Sequence, residues 1–112
     1  MYNTLRIESD NPQIAELVVI GTGRGNAMGP EFWRELPLAV QELANRPALR
    51  ALIVRGEGEH FSYGLDLPGM AEPFSAVLQD GAAGRAAIIK LAAQMQAGFN
   101  ALAALPQPVI AA

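Results

Sequence analysis

Apolar and polar positions along the chain mark out its elements before any chemistry is considered. Thr4 to Glu8 predicts a short first strand, ended by the turn-forming run Ser9-Asp10-Asn11-Pro12. Ile14 to Ile20, with the apolar run Leu17-Val18-Val19-Ile20, predicts a stronger second strand, and the short spacing suits an antiparallel hairpin. Gly21-Thr22-Gly23-Arg24-Gly25-Asn26 predicts a loop. A helix comes next, with Pro30 in its first turn and Phe32, Leu36, Val40 and Leu43 on one apolar face. Pro37 is expected to kink it, and Asn45-Arg46-Pro47 to end it.

Ala51-Leu52-Ile53-Val54 predicts a buried strand closed by Gly56-Glu57-Gly58. Two glycines and a proline between Phe61 and Gly69 argue for a loop, and residues 71–84 for loose structure that turns helical. Arg85 to Leu105 predicts a long helix with Ile88, Leu91, Met95, Phe99 and Leu102 on one face. Pro106-Gln107-Pro108 stops it, and Val109-Ile110-Ala111-Ala112 begins another strand. A buried apolar strand is a poor place for a domain to stop, so residues 1–112 are expected to be part of a longer domain, truncated after Ala112.

Charge and composition narrow the function classes. Eight Lys+Arg face eleven Asp+Glu with no basic block, which argues against nucleic acid as a partner. The chain has no cysteine and a single histidine, which excludes disulfides, thiolate sites and a multi-histidine metal cluster; no metal is expected. No signal segment opens the chain and no apolar run is long enough to span a bilayer, so a cytoplasmic protein without membrane contact is the expectation.

Two stretches could carry chemistry. Gly21, Gly23 and Gly25 lie between a strand and a helix, but G-x-G-x-G is not the dinucleotide fingerprint, and no acidic residue follows at the required distance. Arg24 could pair with a phosphate or be a solvated surface charge. Phe61-Ser62-Tyr63-Gly64-Leu65-Asp66-Leu67 comes after a buried strand and its turn, where ligands tend to sit in mixed α/β folds. Gly64 allows the backbone to turn its N–H groups toward a ligand, and a pair of such donors can stabilise an oxyanion. Alternatively, Asp66 caps the next helical turn, and both can hold at once. His60 has no partner suggested by the sequence, and Ser62 lies in no nucleophile motif.

Three segments together resemble the crotonase (enoyl-CoA hydratase/isomerase) family. Arg24-Gly25-Asn26-Ala27-Met28 is similar to the family's Arg/Lys-x-x-Asn-Ala loop in shortened form, without its Asn-Arg-Pro approach. Phe61-Ser62-Tyr63-Gly64-Leu65-Asp66-Leu67 resembles Phe-Ser-Ala-Gly-x-Asp-Leu, with Tyr63 in place of Ala. Pro106-Gln107-Pro108-Val109-Ile110-Ala111-Ala112 resembles the Pro-x-Pro-Val-Ile-Ala-Ala segment. With Phe32-Trp33-Arg34-Glu35, the pattern looks most like the dienoyl-CoA isomerase branch.

The resemblance implies an α/β fold, the N-terminal part of a crotonase-like ββα spiral, and an acyl-CoA thioester as partner. It also implies a homotrimer or hexamer, and no cofactor apart from the coenzyme A of the substrate. The Leu65 backbone N–H maps to one oxyanion-hole donor, the second lying after the Val-Ile-Ala-Ala strand. Arg24, Asn26 and Ala27 map to the loop beside the CoA moiety, and Tyr63, Gly64, Leu65, Asp66 and Leu67 to the stretch lining thioester and pantetheine. Tyr63 either narrows the acyl pocket or adds a hydroxyl. None of the chain's acids maps to the family's proton-moving carboxylates, so a non-catalytic CoA-binding or oligomerisation module is the alternative.

Overall fold

A computed structural model of the chain describes residues 1–78 and 81–112; the two positions between them, inside the stretch expected to be loosely structured, lie outside the described residues. The elements are β1 (Leu5–Asn11), β2 (Ile14–Val19), α1 (Pro30–Ala44), β3 (Ala51–Gly56), α2 (Ala71–Val77), α3 (Gly81–Ala104) and β4 (Val109–Ala111). The strands form one sheet in the order β1-β2-β3-β4. β1 pairs antiparallel with β2, while β2, β3 and β4 run parallel. This is the mixed α/β arrangement expected for the N-terminal part of the spiral.

One face of the sheet is the core. Leu5, Leu17, Val19, Leu52 and Val54 meet Phe32, Trp33, Leu36, Ala39, Val40 and Leu43 of α1, all buried. The predicted apolar face of α1 is therefore the packed one. α1 runs unbroken across Pro37, so the expected kink does not interrupt the helix. On the opposite sheet face, Arg55 pairs with Glu8 and Glu16 at 3.4 Å each, and Arg6 with Glu8 at 2.9 Å.

The structure differs from the sequence expectation at the end of β1. β1 runs to Asn11 and the hairpin turns at Pro12-Gln13, whereas the sequence predicts a turn over Ser9–Pro12. The physical reason is local side-chain bonding: Ser9 Oγ lies 2.8 Å from both the Asn11 and Ile14 carbonyl oxygens, which share its one proton, and Asn11 Oδ1 accepts the Gln13 N–H. A register shift between Glu8 and Asn11 absorbs the polar residues without ending the strand. α3 starts at Gly81, inside the stretch expected to turn helical, and the apolar face expected over Arg85 to Leu105 is only partly covered. Leu91, Met95 and Leu102 pack against the core, whereas Ile88 and Phe99 are exposed. No described helix is long and apolar enough to cross a membrane.

Candidate functional site: a loop clasp at the ends of the parallel strands

The loop after β2 and the loop after β3 leave the same end of the parallel sheet, and they are bound to each other along their length. Three backbone hydrogen bonds form the seam, and a fourth braces the first loop. The Tyr63 N–H donates to the Gly25 carbonyl at 2.7 Å, and the Met28 N–H to the Gly64 carbonyl at 2.8 Å. The Asp66 N–H donates to the Met28 carbonyl at 2.9 Å, and the Ala27 N–H to the Thr22 carbonyl at 3.1 Å within the first loop.

Asn26 is the centre of the seam. It is 3% exposed and has a φ of 51°, the left-handed region that asparagine tolerates better than most residues. Its Nδ2 donates toward the carbonyls of Glu57 and His60, each at 2.9 Å, and of Phe61 at 3.2 Å. Its own carbonyl accepts the Ser62 hydroxyl at 2.9 Å, and Ser62 Oγ accepts the Gly64 N–H at 3.0 Å.

Leu65 is held differently. It forms a parallel bridge with Met28, but the two bonds of that bridge belong to Gly64 and Asp66 on either side. The Leu65 N–H is thereby turned away from Met28, and it has no hydrogen-bond acceptor among the described residues. Gly64 supports this turn with a φ of 97°, a conformation that a side chain would strain.

Asp66 orders the turn that leads into α2. Its Oδ1 accepts the Gly69 N–H at 3.2 Å, its Oδ2 accepts the Thr22 hydroxyl at 3.2 Å, and its carbonyl accepts the Met70 N–H at 3.0 Å. Both carboxylate oxygens are thus engaged in the loop. A surface cavity of about 420 Å³ lies against it, lined also by Thr4, Thr22, Phe32 and Arg34.

The remaining sequence-predicted residues fall around this seam. Ala27 is half-buried beside Thr22, and Arg24 and Leu67 are exposed. Tyr63 is also exposed; its ring covers Gly25, where an added Cβ would lie 2.1 Å from Tyr63 Cδ2. The ring sits 5.0 Å from that of His60 at a tilt of 49°. Residues 24–27 and 63–67, two separate motifs in the sequence, therefore meet in one place. Sequence reasoning missed Met28 as the backbone partner of the second motif, and Ser62 as a relay between Asn26 and Gly64. The only local signals were an asparagine and a serine in glycine-rich loops, which predict side-chain-to-backbone bonding but not the partner.

With this geometry in place, the chain can be set beside known proteins. No family model matches it. It is 31% identical over 112 residues to a mouse mitochondrial Delta(3,5)-Delta(2,4)-dienoyl-CoA isomerase, covering 99% of this chain and 34% of that protein. It is 34% identical over 108 residues to the probable enoyl-CoA hydratase EchA17 of Mycobacterium bovis, covering 95% of this chain and 38% of that one. A crystal structure of an enoyl-CoA hydratase/isomerase from Xanthobacter autotrophicus Py2 superposes over 100% of this chain and 39% of its own, with a TM-score of 0.82 at 26% identity. The chain spans about a third of the length of the curated relatives it matches.

Proposed function

Because this chain corresponds along its length to the N-terminal segment of the crotonase family, the enoyl-CoA hydratases and isomerases, we propose that it supplies one donor of a thioester oxyanion hole, through the Leu65 N–H. One observation supports this above all: the Leu65 N–H is free of acceptors among the described residues, between two backbone bonds that fix its direction. A fixed amide directed at a thioester oxygen stabilises the enolate formed when an α or γ proton leaves, at no cost in reorganisation. The ligand is an acyl-CoA, with Tyr63 to Leu67 beside the thioester and Arg24, Asn26 and Ala27 in the loop beside the CoA moiety. Nothing beyond the coenzyme A of the substrate is needed as cofactor, and assembly as a homotrimer or hexamer is part of the same reading.

Within this reading, isomerisation of a dienoyl-CoA stands slightly ahead of hydration of a 2-enoyl-CoA. The sequence features that favour it are Asn26-Ala27-Met28, Phe32-Trp33-Arg34-Glu35 and Gly64-Leu65-Asp66-Leu67. A second reading, a non-catalytic CoA-binding module, is favoured by the state of Asp66. It is the carboxylate next to Leu65, and both of its oxygens are tied to Thr22 and Gly69. Incubation with 3,5-dienoyl-CoA and 2-enoyl-CoA, followed by absorbance, separates the two. Turnover of either substrate supports the enzyme and names its branch; saturable binding of acyl-CoA without turnover supports the module. Absence of both would sink the thioester reading.

A further inference from the structure

We infer that Asn26 is a positioning residue for the Leu65 N–H, acting from inside the clasp rather than on the ligand. This rests on the proposed role of Leu65. Its first ground is the direction of the Asn26 side chain. The amide nitrogen faces three carbonyl oxygens of the 57–61 segment at 2.9, 2.9 and 3.2 Å, and the residue is 3% exposed. Two N–H bonds are shared among three acceptors, so the donor capacity of Asn26 is used up within the protein.

Its second ground is the path from Asn26 to Leu65. The carboxamide fixes the segment that ends at Phe61. The Asn26 carbonyl then holds Ser62, whose hydroxyl holds the Gly64 N–H, and Gly64 in turn accepts the Met28 N–H. Met28 takes the next bond from Asp66, which leaves Leu65 between two fixed neighbours with its own N–H directed away from Met28. Every link in this path is a hydrogen bond of 3.2 Å or less.

Its third ground is that, among the described residues, no donor other than Asn26 reaches the Glu57, His60 and Phe61 carbonyls. Gly56, at the end of β3, lies directly under the His60 and Phe61 carbonyls, so close that an added Cβ would be 2.0 Å from the first. Those carbonyls therefore cannot settle inward if their donor is lost. Without Asn26 three carbonyls lose their partner at once, and the segment between β3 and Leu65 must move to find water.

The test uses the ¹⁵N-labelled chain and three forms: wild type, Asn26→Asp, which keeps the shape but replaces the amide donor, and Ser62→Ala, which cuts the relay one step later. Amide hydrogen exchange without ligand is the first readout. Exchange at Met28 and Asp66 is expected to rise about tenfold or more in both variants, relative to Leu17 and Leu52 in the sheet. Unchanged exchange at Met28 and Asp66 in Ser62→Ala, or in an Asn26→Asp that folds, overturns the proposal. A uniform rise at all four amides in both variants also overturns it, because Asn26 would then support the fold as a whole.

The second readout compares acetyl-CoA with free coenzyme A, which lacks the carbonyl. In wild type, acetyl-CoA is expected to move the Leu65 amide resonance and to bind more tightly than coenzyme A by about tenfold, the worth of one good hydrogen bond. In Asn26→Asp the ratio of the two affinities is expected to fall toward unity, the loss for acetyl-CoA exceeding any loss for coenzyme A by about tenfold. Equal losses for both ligands would make Asn26 part of the CoA contact and overturn the positioning role. If wild type itself shows no preference for the thioester, the Leu65 reading fails, and the exchange data alone still decide whether Asn26 and Ser62 set the geometry around Leu65.

Discussion

At the scale of single residues, the buried carboxylate of Glu35 ties α1 to the residues that lead into β1. Glu35, on α1, accepts the Asn3 N–H at 2.7 Å, the Thr4 N–H at 2.8 Å and the Thr4 hydroxyl. Burial pushes its carboxyl up, but the Thr4 and Asn3 hydrogen bonds, with help from Arg34, outweigh burial and hold it below its ordinary value of 4.5. A carboxyl lowered in the folded state stabilises the fold above its unfolded value, and that contribution is lost as pH falls through the lower folded value. Glu35→Gln puts an NH₂ group against an N–H and is expected to cost about 1–3 kcal/mol near neutral pH. The difference should shrink as pH falls below 4.5 and through the lower folded value, where wild type loses its charge. Urea midpoints in both pH ranges check this; a gap that does not change with pH would show that the charge of Glu35 is irrelevant.

Gly56 and Gly58 make a paired test of the turn after β3. An added Cβ at Gly56 would lie 2.0 Å from the His60 carbonyl oxygen and 2.3 Å from that of Phe61, and Asn26 holds both. At Gly58 the same atom meets nothing, and the cost is only that of a side chain at φ 73°. Gly56→Ala is therefore expected to cost about 3 kcal/mol, the upper range for an overpacked site, and Gly58→Ala about 1 kcal/mol. Thermal denaturation of the two variants should rank them in that order.

At the scale of elements, the crossing of α1 and α3 depends on Gly98. A Cβ there would approach Leu36 Cδ2 to 2.4 Å and Leu36 Cβ to 3.0 Å, and Leu36 is 2% exposed with nowhere to retreat. Beside it, the rings of Trp33 and Phe99 meet edge to face at 5.6 Å. Gly98→Ala should lift α3 from α1, so amide exchange should rise across residues 81–104 while β2 and β3 keep their protection. Within α1, Pro37 supplies no N–H to the preceding turn, yet the helix continues through it. Pro37→Ala is expected to stabilise the chain by about 1–3 kcal/mol, seen as a raised urea midpoint.

The legibility of these elements in the sequence tracks their physics. α1 and β3 are readable because their apolar periods are long and match one buried face each. The hairpin turn is misplaced by the sequence reading because Ser9 and Asn11 bond across it, a pairing that composition does not encode. The first turn of α3 is legible only as a stretch that turns helical, because glycine and alanine between 81 and 84 carry no apolar period to fix its start. In the site, both motifs are legible, since each is a short glycine-bearing run with a shape of its own. That they clasp each other through Met28 and Asn26 is a long-range fact, absent from either run alone.

At the scale of the whole molecule, the chain is more extended than its length requires. Its radius of gyration is 15.3 Å, with extents of 51 × 29 × 22 Å; a compact chain of this length would have about 13 Å. The long α3 accounts for much of this, because its buried residues are only Gly84 and Gly98. Ile89 is 70% exposed, Ile88 51% and Phe99 44%. β4 adds Ile110 at 54%, on a strand that ends the sheet with no further partner among the described residues. Exposed apolar side chains on a helix and on an unpaired sheet edge are the two features that folded chains normally cover or blunt with charge. Self-association is therefore expected to increase with concentration in sedimentation velocity. Replacing the two most exposed of these isoleucines, as Ile89→Lys with Ile110→Lys, should shift the boundary toward a single species by placing charge on both features. Neither substitution touches the clasp, so acyl-CoA affinity should be unchanged in the double variant. A wild-type boundary independent of concentration would show that water tolerates these faces, and an affinity that falls with the substitutions would tie them to the ligand site.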